Sequence, residues 1–175
     1  VIWVAAFLEE LVYRGVVFRL LEAAWGLPAA LGVQAVLFGL AHLGNGGTGW
    51  TTMLSTTLLG ALWALIFART RNLWAATAHH AGWNFAIVLA GPPLSGIEDW
   101  RAASPIDAVA VGPDWLTGGA FGPENSPITL VLLLVAVAAL WPRTDRAPGT
   151  PGSQQEPNDE RVEDRRSAHR AGEGP

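Results

Sequence analysis

The feature that most constrains this chain is a set of long apolar runs with charged side chains inside them. Residues 1–91 and 127–142 are dominated by apolar side chains, whereas 143–175 are mostly polar. A length of 175 residues alone fits one soluble domain. The runs argue instead for a polytopic membrane protein, because a helix crossing the hydrocarbon core needs roughly 17–25 mainly apolar residues. The expected fold class is therefore all-α, a transmembrane helix bundle.

Turn signals divide the runs into five expected helices, at about 1–25, 28–43, 50–68, 72–90 and 128–141. Gly26-Leu27-Pro28 breaks the first from the second, and Pro28 suits a first helical position. Gly44-Asn45-Gly46-Gly47, then Arg69-Thr70-Arg71, then Gly91-Pro92-Pro93 close the next three, and Pro127 and Pro142 bound the last. Residues 1–142 thus read as one transmembrane domain. Within it, 91–126 is rich in Gly, Pro and Asp and reads as an external loop. Residues 143–175 carry too few large apolar groups to offset ordering entropy and are expected to be a disordered tail. Val1 already lies inside an apolar stretch with no charged region before it. That does not fit a signal peptide, and further helices are expected upstream of it.

The absence of Cys excludes disulfides and thiolate metal sites. No strongly basic face suggests nucleic acid as a partner. Eight of the nine Trp residues stand near segment ends, as in an interfacial belt, and Trp63 is the central exception. There is no Lys, and Arg69, Arg71, Arg143 and Arg146 flank segments three to five. The loop 91–126 has one Arg against five acidic residues. The positive-inside rule then puts the 69–71 turn and the C-terminal tail in the cytoplasm.

Ionisable groups inside a spanning helix cost roughly 2.5–3.5 kcal/mol each on insertion scales, so they mark functional sites. Segment one holds Glu9, Glu10 and Arg14, segment two His42, and segment four His79 and His80. Segment three holds none. Glu10 and Arg14 are four apart and share a helix face, so they can neutralise each other. Glu9 and Arg14 are five apart and diverge by about 140° on a regular α-helix, leaving Glu9 without a partner on its own helix. Tyr13, four residues from Glu9, can hydrogen-bond it or serve another role. His80 and Asn84 share a face, as do Phe38 and His42. Counted at ~1.5 Å per residue from the inner ends, Glu9, His42 and Asn84 fall at similar depths and His80 is shallower.

These residues resemble a known family. Glu9-Glu10-Leu11-Val12-Tyr13-Arg14 looks like the EExxxR motif of the CPBP intramembrane proteases, also called the CAAX prenyl protease or Abi family. Phe38-Gly39-Leu40-Ala41-His42 looks like its FxxxH motif, and His80-Ala81-Gly82-Trp83-Asn84 its HxxxN/D motif. The resemblance covers about residues 1–90. It implies an intramembrane endopeptidase acting on peptides or membrane-anchored proteins in the lipid bilayer, with a prokaryotic plasma membrane as the expected location. Glu9 would be the general base that activates a water, with His42 helping to hold that water. His80 and Asn84 would stabilise the oxyanion, and Glu10 and Arg14 would be mainly structural. Phe38 reads as core, and His79 as packing or a weak supporting group behind the site. No cofactor is favoured, but the family is often described as metalloproteases, and Glu9, His42 and His80 could supply a zinc set. HExxH is absent. The alternative is a non-catalytic membrane scaffold or immunity-type protein of the same fold. Ion transport is weaker, since no broken-helix pair or repeat is evident.

Overall fold

The computed structural model describes residues 1–106, 108 and 110–141, so the expected polar tail lies outside the described residues. Those described are helical, apart from turns and one isolated bridge between Leu94 and Ile97. Helix α1 (Ile2–Glu10) runs into a π-helical segment, Leu11–Phe18, and then into α2 (Arg19–Ala41). The other long helices are α3 (Trp50–Thr70), α4 (Leu73–Ala90) and, after two short ones, α7 (Pro127–Leu140).

The first run differs from the regular α-helix expected over 1–25. Its π-helical turns begin directly after the carboxylate pair and contain Tyr13 and Arg14. Long π-helical stretches are rare, and short ones concentrate at functional sites. The break at Gly26-Leu27-Pro28 is a kink: Gly26 has φ 81°, which a side chain would resist, and Pro28 opens the helical stretch beyond it. Asn72 caps α4 by accepting the Trp74 N–H, and Ser126 caps α7 ahead of Pro127.

Helix α3 is the centre of the bundle. It packs against α2, α4 and α7, while α1 packs against α4. Phe38, Leu59, Trp63 and Leu133 form one buried cluster, and Phe18, Leu31, Leu65 and Phe67 another. At the C-terminal end of α3, Arg69 Nε donates to the Leu140 carbonyl. Arg71 there makes a bidentate pair with Glu22 at 2.6 and 2.7 Å, which holds its guanidinium above the usual value. At the opposite end, the 43–49 loop meets the 94–97 turn through a Gly46 N–H bond to the Gly96 carbonyl. The 91–126 region, expected as a plain loop, contains α5 (Glu98–Ala102), α6 (Asp114–Thr117) and two 3₁₀ turns.

Polarity runs inside out. Glu10, Arg14, Gln34, Ser55, Thr77 and His80 are buried, whereas Trp3, Leu8, Val12, Ile128, Val131 and Val135 are exposed. A water-soluble fold rarely exposes that much contiguous apolar surface. Ile2–Ala41 and Trp50–Thr70 are long and apolar enough to cross a membrane, and Pro127–Leu140 is apolar but shorter. These features suggest a membrane protein.

Candidate active site

The π-helical segment carries Arg14 into the middle of the bundle, where it is fully buried. Its Nη1 donates to Glu10 Oε1 at 2.8 Å, and its Nη2 donates to the Gly60 carbonyl on α3 at 2.7 Å. The guanidinium also lies over the Phe38 ring, 4.9 Å from its centroid. Gln34 of α2 donates to the same Gly60 oxygen at 3.0 Å. That carbonyl is reachable because α2 lies close on α3: a Cβ at Gly60 would come within 3.0 Å of Phe38 Cβ.

The other end of this chain of contacts is His80. Its Nδ1 lies 2.8 Å from Glu10 Oε1, so Glu10 serves Arg14 and His80 with one oxygen. A carboxylate only accepts, so Nδ1 carries the hydrogen. The ring stacks on the Trp63 indole, with centroids 3.7 Å apart and planes at 14°. Trp63 Nε1 in turn donates to His79 Nδ1 at 3.0 Å. His79 therefore anchors the indole against which His80 stacks, the supporting role weighed for it beside packing. Segment three, expected to contribute nothing polar, supplies the Gly60 carbonyl and the Trp63 platform.

Glu9 has no such support. Its Oε2 is buried and has no hydrogen-bond partner among the described residues; the nearest cation-forming atom is His80 Nε2, 3.9 Å away. Tyr13, weighed above as its partner, packs edge-on against Phe38 instead, with centroids 5.0 Å apart. His42 stands at the C-terminal cap of α2, with Nδ1 2.8 Å from its own Phe38 carbonyl. A carbonyl also only accepts, so Nδ1–H donates and, in the neutral ring, Nε2 presents a lone pair.

Glu9, His42, His80 and Asn84 all line one cavity of about 190 Å³. Four residues from four different places in three helices therefore meet at one space, with Phe38 and Trp63 in its wall. His80, the shallowest by residue count, faces the same cavity as the rest. A catalytic zinc needs three protein ligands around one point. Among the described residues no three His, Asp or Glu side chains are grouped closely enough to hold a metal ion.

The cavity has a further wall that sequence reasoning missed. Leu94, Ser95, Ile97, Trp100 and Glu124 come from the 91–126 region. Their residue types carry no signal in a Gly- and Pro-rich stretch. Gln34 and Trp63 did carry one: a polar amide inside an apolar run, and a Trp far from both helix ends.

No curated protein and no solved structure matches the chain. Residues 1–86 match the family model of type II CAAX prenyl endopeptidase, Rce1-like. That span contains all three motif-bearing stretches, and the match supports placing the chain in the CPBP family of CAAX proteases.

Proposed function

We propose that this chain is an intramembrane endopeptidase of a polytopic bundle, hydrolysing peptide bonds of membrane-associated substrates with a water activated by Glu9. The observation that carries the proposal is the division of labour between adjacent carboxylates. Glu10, whose Oε2 also lacks a hydrogen-bond partner among the described residues, is tied through Oε1 to Arg14 and His80 and does not line the cavity, while Glu9 lines it and its buried Oε2 has no partner. A base must reach the reacting water, and of the two carboxylates Glu9 is the one that lines the cavity.

In this reading the water donates one hydrogen to Glu9, and the His42 Nε2 lone pair accepts the other. The water oxygen bonds to the scissile carbonyl carbon while Glu9 takes the proton. The resulting oxyanion receives hydrogen bonds from Asn84 Nδ2 and His80 Nε2. Because Glu10 holds a hydrogen on Nδ1, the second donation requires His80 to carry hydrogens on both nitrogens during this step. Each such donor is typically worth about 3–4 kcal/mol in the transition state. Collapse breaks the C–N bond, and protonated Glu9 returns its proton to the leaving amine.

The test is cleavage of a membrane-anchored reporter by the purified protein, with product masses read to locate the cut. Wild type is expected to cleave with or without chelator, and His42→Ala and His80→Ala to lose most activity. Loss of wild-type cleavage on chelation, restored by zinc, would overturn the glutamate–water mechanism. Unimpaired cleavage by both histidine variants would overturn the site.

A further inference from the structure

Beyond the helices that carry the motifs, one turn of the cavity wall is held in a strained shape by a second buried carboxylate. Ser95 has φ 50°, a left-handed conformation that a residue with a side chain adopts only when its surroundings enforce it. Glu124, 1% exposed, supplies that enforcement. Its Oε2 accepts both the Ser95 N–H at 2.8 Å and the Ser95 hydroxyl at 2.7 Å. Its Oε1 accepts Trp83 Nε1–H at 3.1 Å. Trp83 directly precedes Asn84 and lies three residues after His80 on α4.

One carboxylate thus couples the turn to the helix bearing two of the candidate catalytic groups. From the other side, Asn45 Nδ2 donates to the Ser95 carbonyl at 2.8 Å, tying the turn to the loop just after His42. The stretch so fixed presents Leu94, Ile97 and Trp100 to the cavity that Glu9 also lines. A carboxylate buried among neutral donors alone is a costly fastening for a turn. Apolar walls with a few fixed polar groups are how small sites hold a ligand in register.

Resting on the endopeptidase reading, we infer that Glu124 is a positioning residue for substrate binding. It fixes the 94–100 stretch as the wall against which substrate side chains beside the scissile bond pack, with Ile97 and Trp100 making the contact.

The experiment uses the whole chain in detergent micelles and a panel of quenched peptides whose flanking residues range from Ala to Phe. Ile97→Ala and Trp100→Ala are expected to shift the preference between small and bulky residues by about tenfold in kcat/KM. Glu124→Gln is expected to raise KM for every peptide while kcat stays within about twofold. A merely structural role would reduce the active fraction and lower kcat at unchanged KM. That result for Glu124→Gln, or wild-type preferences in Ile97→Ala and Trp100→Ala, would overturn the inference. Should Glu124→Gln fail to fold, the Ile97 and Trp100 variants decide it. No cleavage by wild type would instead refute the endopeptidase reading, and the wall's role with it.

Discussion

Glu9 and Glu10 are neighbours in sequence with opposite circumstances, and the difference is set by reach. Glu10 shares a face with Arg14 and meets His80 through the same oxygen, so removing it strands a buried cation and frees the imidazole. Breaking a buried pair by deleting one partner typically costs about 3–5 kcal/mol. Glu10→Ala should therefore lower thermal stability and yield strongly, as read from Tm and the fraction recovered folded. His80→Gln should lower kcat strongly while leaving KM nearly unchanged, as read from steady-state cleavage of the reporter; an unchanged kcat would mean that His80 does not serve the transition state. The pairing of Glu10 with Arg14 was legible from their four-residue spacing alone. The bond from Glu10 to His80 was not, because it joins residues seventy apart and depends on how α1 docks on α4.

At the scale of elements, the contact between α2 and α3 decides where the site's polar groups can go. Gly60 permits the close approach, and its carbonyl takes hydrogen bonds from both Arg14 and Gln34. A methyl group there would press on Phe38 Cβ at 3.0 Å and on the Ala35 backbone at 3.2 Å. Overpacking of this kind typically costs about 1–3 kcal/mol. Gly60→Ala should lower Tm and, by shifting Arg14, reduce activity; a fully stable and active variant would show that the helices can separate at no cost. The positions of the long helices were readable because each apolar run ends at Gly, Pro or Arg. The π-helical winding of Leu11–Phe18 was not readable, since no residue type specifies it and the contacts of Arg14 lie on another helix. The short helices and the cavity wall in 91–126 were hidden for the same reason: Ser95 and Glu124 find each other only once the chain has folded back on α4.

The described part of the molecule places Glu10, Arg14 and His80 within and many large apolar side chains without, which suits lipid as its solvent. Its extramembrane fastenings are weaker. The Glu22–Arg71 pair is more than half exposed on the Arg side, and exposed pairs are typically worth about 0–1 kcal/mol. Arg71→Ala should accordingly leave Tm within a degree or two of wild type and cleavage unaffected; a large loss would assign that end of the bundle a greater role. The central claim concerns one oxygen of one side chain, and the most direct measurement is kcat of Glu9→Gln on a membrane-anchored reporter, with Tm measured alongside. A Gln occupies nearly the same volume but cannot take the proton, so kcat is expected to fall at least about 10²-fold at an unchanged Tm. A Glu9→Gln protein that cleaves as fast as wild type would contradict the account.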